Sequence, residues 1–216
     1  MYLRNNPFYD TRNNNASIKA VEDILSNSYV CSADNYFNQN PFIEEAENAY
    51  YAAVYSNGPT NEWCIETDKD GWITAVTIGG RDSWYMLGHT FWDKDFSNNF
   101  IRILNDVYDL PSTADKLWEN IYLEHLDQLH MKIKTYPDDF IFEFDTLDEL
   151  RRFDYSYIND TRSIILKDVA RILGTEEKEL VNFTALKDNK STEAVGFTFD
   201  AKGIHHTYLY NGGLKD

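Results

Sequence analysis

The chain has 216 residues, a formal net charge of −16 at pH 7 and 43% hydrophobic residues. This length and composition can bury a sizeable core, so we expect a soluble globular protein. The negative charge argues against nucleic acid as a partner, because binding to a phosphate backbone needs clustered Lys and Arg. It suits a protein that attracts divalent metal ions or cationic small molecules, although solubility alone would also explain most of these charges.

The cysteine content and the apolar runs indicate the compartment. The two cysteines, Cys31 and Cys64, are too few for a disulfide framework and suit a reducing cytoplasm. No apolar run approaches about 18 residues, and the first residues lack the apolar core of a signal peptide. We therefore expect a cytoplasmic protein without a membrane span.

The first predicted elements are a helix and a short buried strand. Asn13–Asn15 is expected to supply an N-cap, and apolar residues from Ile18 to Leu25 recur at helical spacing, which predicts a helix that ends at about Leu25. Tyr29–Ser32 is predicted to be a strand, and a polar cluster with Asp34 follows it. Open α/β sheets bind ligands beyond the C-terminal ends of strands, which makes Asp34 a candidate metal ligand. An Asx-turn is the alternative interpretation.

The middle of the chain is predicted to be mainly β-structure. Aromatic and alternating runs predict four strands, at residues 48–55, 63–67, 72–78 and 83–92. Turn residues between these strands predict turns at Ser56–Pro59, Asp68–Gly71 and Gly79–Gly80. The last of the four strands, being the most aromatic, is expected at the centre of a sheet.

The remaining elements alternate between helices and strands. Amphipathic helices are predicted at 95–107 and 115–129, strands at 131–135 and 140–144, and a helix at 147–153 capped by Asp145 or Thr146. After a shift in composition near 155–161, we predict a helix over 163–173 that ends at Gly174. Two or three strands over 181–210 should turn at 188–190 and 200–203. We expect two domains, 1–155 and 156–216.

Three histidines could be considered for acid–base catalysis or metal binding, but the sequence favours neither role. His89 lies between Gly88 and Thr90 in an aromatic strand, so a partly buried histidine with satisfied hydrogen bonds is favoured over an acid or base. His205 and His206 are adjacent, and adjacent strand residues point to opposite faces. They therefore do not form a metal site by themselves.

Five segments resemble those of a known enzyme family. They are Ala33–Tyr36, Thr60–Trp63, Gly88–Trp92, Leu117–Asn120 and Glu143–Leu150. Their order and approximate spacing resemble the bacterial CTP:phosphocholine cytidylyltransferases, over roughly residues 1–155. The resemblance implies an α/β fold of the GT-A, Rossmann-like type, here truncated. A mixed sheet would be flanked by helices, with a small C-terminal helix and β-hairpin as an appendage.

The resemblance also implies a reaction and a cofactor. In that family a phosphocholine oxygen attacks the α-phosphate of CTP, giving CDP-choline and pyrophosphate, with Mg²⁺ in the site. Asp34 matches the family's metal-binding aspartate. Glu119 occupies the acidic position after the tryptophan of another motif, which makes it the expected second Mg²⁺ ligand. From the residues alone, an exposed helix acid is the alternative for Glu119.

The resemblance further implies a pocket for a choline-type cation. Ring faces and a nearby negative charge hold a trimethylammonium group. The rings that could form such a cage are Tyr36, Trp63, Trp84, Tyr85, Phe91 and Trp92, with Glu62 as a charge partner. Because tryptophans more often pack in cores, only two or three rings should face a ligand. Tyr36 and Trp84 are favoured because they lie near strand ends.

The chain departs from the family pattern at both ends. The glycine-rich loop and the basic residues that cradle the CTP triphosphate in the family have no counterpart, so we expect the chain to be incomplete for catalysis alone. Residues 156–210 resemble the start of a choline-kinase-like domain that follows the cytidylyltransferase in some fused proteins. The kinase catalytic loop has no counterpart in this sequence.

Two functions are therefore kept open. One is a nucleotidyltransferase whose missing nucleotide half comes from elsewhere. The other is a non-catalytic module that binds a choline-like cation or a protein partner. Either would leave part of the sheet uncovered, so we also expect a homo-oligomer that buries this surface.

Overall fold

The computed structural model of the chain describes residues 3–42, 46–187 and 194–215. Contacts divide the chain into two units, Met1–Glu143 and Phe144–Asp216. This boundary comes earlier than the 155/156 boundary expected from composition. The difference arises because the helix over Leu147–Phe153 is held within the second unit, where its Arg151 donates to the carbonyls of Leu180 and Glu177.

The first unit is built on a four-stranded mixed sheet. The strands of the whole unit are β1 (Ser28–Cys31), β2 (Asn35–Phe37), β3 (Tyr50–Thr67), β4 (Ile73–Trp92), β5 (Lys132–Thr135) and β6 (Ile141–Glu143). Its helices are α1 (Asn15–Ala20), α2 (Lys94–Val107) and α3 (Trp118–Glu124). The sheet order is β1-β4-β3-β5, with β3 parallel to β5 and the other pairs antiparallel, while β2 and β6 pair separately. The predicted mixed α/β fold is confirmed.

β3 and β4 form one long hairpin around the predicted Asp68–Gly71 turn. The Asp68 carboxylate accepts hydrogen bonds from the backbone N–H groups of Asp70 and Trp72, both at 2.9 Å. Gly71 has φ 83°, a conformation that glycine adopts without strain. The local turn signal was sufficient here because the side chain of Asp68 closes the turn on its own.

Two other predicted turns are wrong. Ser56–Pro59 lies within β3 and Gly79–Gly80 lies within β4. The register between these strands shifts next to both segments. Gly58 and Gly79 have φ 92° and 80°, so the turn-type residues are absorbed as bulges while pairing continues.

Two helices are shorter in the structure than predicted. α1 ends at Ala20 rather than Leu25, and α3 covers only the centre of the predicted 115–129 helix. α2 agrees closely because Asp93 caps it: the carboxylate accepts from the Phe96 N–H at 2.8 Å. Among the described residues, no helix is long and apolar enough to cross a membrane.

One face of the sheet packs against α2 and α3 in an aromatic core. Trp92 is 0% exposed and lies at its centre. Its ring centroid lies 4.7 Å from that of Phe100, 4.9 Å from Trp118 and 5.0 Å from Phe96. The expectation that Trp92 contacts a ligand is therefore wrong, because helices that lie later in the chain bury its ring completely.

The opposite face of the sheet holds His89. This residue is 0% exposed, and its two ring nitrogens lie 3.2 Å from the Cys31 sulfur and 3.4 Å from the Tyr50 hydroxyl. The Tyr29 ring stacks on it with centroids 5.5 Å apart. This environment agrees with the prediction of a histidine with satisfied hydrogen bonds.

The second unit packs helices on a four-stranded antiparallel sheet of order β10-β9-β8-β7. Its elements are α4 (Leu147–Phe153), α5 (Ser156–Asn159), α6 (Ile164–Leu173), β7 (Leu180–Lys187), β8 (Ala194–Ala201), β9 (Ile204–Leu209) and β10 (Gly213–Lys215). The expected hairpin is thus part of a larger sheet, and the expected helix packs on that sheet. The turn expected at 188–190 lies outside the described residues.

Helix caps explain why α4 and α6 were predictable from the sequence. Thr146 and Glu149 form a reciprocal capping box at the start of α4, which resolves the choice between Asp145 and Thr146. Ser163 accepts from the Leu166 N–H at the start of α6. Gly174 ends α6 in the left-handed conformation, with φ 59°.

Stability should depend on His89 at mildly acidic pH. Burial and, secondarily, the charge of Lys134 lower the pKa of His89 from 6.5 to about 4. As the pH falls through this interval, the unfolded chain binds a proton that the folded chain does not. The free energy of unfolding should therefore fall with decreasing pH, by about 3 kcal/mol in total from this residue.

The measurement is urea unfolding across this pH interval, for the wild type and for His89→Gln. Glutamine does not titrate, so the variant should show a shallower loss of stability on acidification. Parallel curves for the two proteins would contradict the assignment.

Candidate functional site

A cavity of about 220 Å³ opens in the first unit and is lined mainly by polar groups. The residues that determine its chemistry are Asn14, Tyr51, Glu62, Trp63, Glu119 and Glu143. Three of these are glutamates, and no lysine, arginine or histidine is among the lining residues that the structure describes. We call this the acidic cavity. Its charge attracts cations and disfavours anions.

Glu119 is fixed from both sides. It lies in the first turn of α3, directly after the buried Trp118. The Tyr51 hydroxyl donates to Glu119 Oε1 at 3.2 Å, and Asn14 Nδ2 donates to Oε2 at 3.3 Å. Tyr51 is itself held by stacking on Trp118, with ring centroids 5.8 Å apart. Both carboxylate oxygens therefore have defined directions.

The protonation equilibria of this pair follow from burial. Burial raises the pKa of Glu119, an effect that hydrogen bonds from its backbone, Asn14 and Tyr51 partly offset. Burial, followed by the neighbouring charge of Glu119, raises the pKa of Tyr51 well above its usual value. Tyr51 is thus a neutral hydrogen-bond donor over the whole physiological range.

Acidic side chains from other elements surround Tyr85 as well. Burial raises the pKa of Tyr85, and the charges of Glu62, Glu143 and Asp138 raise it further. Glu62 is exposed on β3, next to the partly buried Trp63, whose ring packs on the core. The acids of the cavity therefore raise the pKa of the tyrosines around them.

Asp34 lies in a neighbouring cavity that shares part of this lining. The shared residues are Asn14, Ser32, Tyr51, Gly88 and Glu119. A carboxylate oxygen of Asp34 lies within 4.8 Å of one of Glu143. Two carboxylates this close can hold one divalent cation directly or through its bound waters, and Mg²⁺ prefers oxygen ligands and keeps several waters. The donor set therefore fits the expected metal.

Comparison with known proteins adds to this geometry. No protein-family model matches the chain. The choline-phosphate cytidylyltransferase of Streptococcus pneumoniae is 26% identical over 149 residues, which cover 69% of this chain and 65% of that protein. The 2-aminoethylphosphonate cytidylyltransferase of Lancefieldella rimae is 26% identical over 165 residues, which cover 74% of this chain and 67% of that protein.

A solved structure shows the same relationship. The CTP:phosphocholine cytidylyltransferase of Streptococcus pneumoniae superposes with a TM-score of 0.65 and 25% identity, covering 70% of this chain and 66% of that one. In sequence and in fold the chain is therefore cytidylyltransferase-like. It spans about two thirds of the length of these relatives.

The structure of this cytidylyltransferase-like chain brings together only some of the predicted site residues. Glu62, Trp63 and Glu119 line the acidic cavity, and Asp34 lines its neighbour. Tyr36, Trp84 and Tyr85 are not among the described lining residues of either cavity. Tyr36 is paired with Phe142 across β2 and β6, and the Trp84 ring lies 5.2 Å from that of Tyr55.

Three cavity residues were missed from the sequence. Glu143 lies at the start of one of the segments that resemble the family, so the resemblance itself could have indicated it. Asn14 was interpreted only as part of a helix cap, and Tyr51 only as a strand residue. No local pattern connects either of them to Glu119, because the three positions meet only through the fold.

Gly88 lies where the two cavities meet, and we expect the folded chain to require glycine at this position. It has φ 21°, and a Cβ atom there would lie 2.7 Å from Ser32 Cβ and 2.9 Å from Asn35 Oδ1. Gly88→Ala should therefore destabilise the chain by about 1–3 kcal/mol, through overpacking as well as backbone strain.

Gly58→Ala is the matched control for this prediction. Gly58 also has positive φ, but a Cβ there would meet nothing within 4 Å. Urea unfolding of the two variants should show a larger loss for Gly88→Ala. Equal losses would mean that contact with Ser32 and Asn35 contributes nothing.

Proposed function

We propose that the first unit binds a small molecule that carries an ammonium group and a phosphate or phosphonate group, as the acceptor side of a cytidylyltransferase-like site. The observation that supports this is the acidic cavity, with three glutamates and no basic residue among its described lining. The two relatives are named for choline phosphate and 2-aminoethylphosphonate, which both combine these groups.

We assign the ammonium group to the side of the cavity formed by Glu62, Trp63 and Glu119. A unit charge 4 Å from a carboxylate gains about 1 kcal/mol in water and about 4 kcal/mol at the effective dielectric constant near a protein surface. A ring face adds about 1–2 kcal/mol when the contact is desolvated. Trp63, which is only partly buried and lines the cavity, supplies this ring.

We assign Mg²⁺ to Asp34 and Glu143. The resemblance to the family favoured Asp34 and Glu119; we replace Glu119 by Glu143 because a Glu143 oxygen lies close to Asp34. One oxygen of Asp34 lies within 4.8 Å of one of Glu143. Asp34 lies in a turn, and Glu143 is the last residue of β6. Mg²⁺ bound there would neutralise the charge of nucleotide phosphates and of the departing pyrophosphate.

The reaction that this arrangement would serve is cytidylyl transfer. An oxygen of the ligand's phosphorus group attacks the α-phosphate of CTP, and pyrophosphate leaves. In this proposal the residues of this chain hold the ammonium end and orient the attacking oxygen toward the Asp34–Glu143 side. Binding of the cation without catalysis is the alternative, and titration with the nucleotide distinguishes the two.

Calorimetric titration tests the binding site. Phosphocholine should bind the wild type, and Glu62→Gln and Glu119→Gln should each weaken binding about tenfold, because each removes one charge from the cavity. Glu66→Gln is the matched control, since Glu66 is an exposed glutamate of β3 outside the cavity lining. Its affinity should equal that of the wild type.

The same titrations separate the proposed functions. Binding of CTP with Mg²⁺ supports transfer chemistry, whereas binding of phosphocholine or choline alone supports a cation-binding module. Failure of the wild type to bind any of these ligands, or equal binding by all variants, would overturn the assignment of the acidic cavity.

We also retain the prediction of a homo-oligomer. β1 forms one edge of the four-stranded sheet, and among residues 3–42, 46–187 and 194–215 no further strand pairs with that edge. An unpaired edge presents backbone donors and acceptors to a second chain. Sedimentation should therefore show a species larger than the monomer, and a monomer at all concentrations would contradict this prediction.

A further inference from the structure

Asn14 occupies a helix cap position without capping its own helix. It is the N-cap residue of α1, yet its side chain makes no capping hydrogen bond there. Asparagine is among the favoured N-cap residues because its side chain accepts a bond from the first turn, which contributes about 1 kcal/mol. In this chain the side chain is used elsewhere.

The Asn14 amide instead joins two groups at the start of α3. Its Oδ1 accepts from the Trp118 backbone N–H at 2.7 Å, across 104 positions of sequence. Its Nδ2 donates to Glu119 Oε2 at 3.3 Å. The residue before α3 is Leu117, whose hydrocarbon side chain cannot accept a hydrogen bond, so Asn14 supplies the acceptor that α3 lacks.

The two bonds fix the orientation of the amide. Its oxygen must face the N–H group and its nitrogen must face the carboxylate, since each partner accepts or donates in one direction only. The N–H dipole directed at Glu119 favours its charged form, in a cavity where two further glutamates oppose that charge. Tyr51 holds only the other oxygen.

We propose that Asn14 is a positioning residue, which holds the Glu119 carboxylate in the acidic cavity and ties it to the first turn of α3. The inference rests on the proposed function in so far as Glu119 contacts the ammonium group. A purely structural role would be to cap α3 from a distance. The two roles differ in whether the effect of Asn14 on ligand binding passes through Glu119.

A double-mutant cycle on phosphocholine affinity distinguishes the positioning role of Asn14 from a purely structural one. Asn14→Ala should weaken binding about five- to tenfold in the wild-type background, which corresponds to the net contribution of one ordinary hydrogen bond. In the Glu119→Gln background the same change should weaken binding less than twofold, because the charge that Asn14 positions is gone. Equal losses in both backgrounds would overturn the proposal.

A second cycle requires no ligand and separates this inference from the proposed function. Asn14→Asp keeps the acceptor for the Trp118 N–H but places a second carboxylate against Glu119, so the melting temperature should fall by several degrees. Adding Glu119→Gln exchanges the amide and the carboxylate and should restore it. An absence of restoration would show that the two side chains do not pair, even if phosphocholine binds.

The outcomes of the two cycles are independent. If the melting temperature is restored in the exchanged pair while the wild type binds no phosphocholine, the proposed function fails and the pairing stands. If phosphocholine binds but neither cycle shows coupling, the proposed function stands and Asn14 has no positioning role.

Discussion

The burial of Trp118 is the constraint on which both the core and the acidic cavity depend. Its indole is 4% exposed and contacts the rings of Trp92 and Phe100 on one side and Tyr51 on another. This packing fixes the backbone at the first turn of α3. The next residue, Glu119, is therefore placed by hydrophobic burial, and its hydrogen bonds to Asn14 and Tyr51 orient the carboxylate. Core and cavity share one backbone segment.

The hydrogen bonds to Glu119 explain how its desolvated carboxylate is tolerated. Desolvation opposes the charge of Glu119, which its raised pKa reflects. Two neutral donors, Asn14 and Tyr51, offset part of that cost without cancelling the charge. A lysine or arginine in place of either donor would cancel part of the negative charge of the cavity and weaken its attraction for a cation. The choice of neutral donors thus preserves the net negative field.

Local signals in the sequence predicted the elements whose ends are closed by their own side chains. The Asp68 turn, the Asp93 cap of α2 and the Ser163 and Gly174 ends of α6 are of this kind. Ser56–Pro59 and Gly79–Gly80 carried equally strong turn signals, but pairing between two long strands absorbed them as bulges. Strand pairing depends on the whole hairpin and overrides local preference.

The site was predictable only in part for a related reason. Glu62, Trp63, Glu119 and Asp34 were indicated by resemblance to the family, and the fold brings them to two adjoining cavities. Trp92 was misassigned because sequence does not show which side of a strand later helices will cover. Asn14 escaped notice because its partners, Trp118 and Glu119, lie more than a hundred residues away.

Glu143 connects the two candidate cation positions. It lines the acidic cavity, and one of its oxygens also lies within 4.8 Å of Asp34. A molecule with an ammonium group at one end and a phosphorus group at the other would extend from the first position toward the second. In the proposed function, the ammonium charge would offset the charge of the glutamates, and the phosphorus oxygens would approach the carboxylates only with a divalent cation between them. Ligand and metal would then support each other's binding, with Glu143 between the two positions.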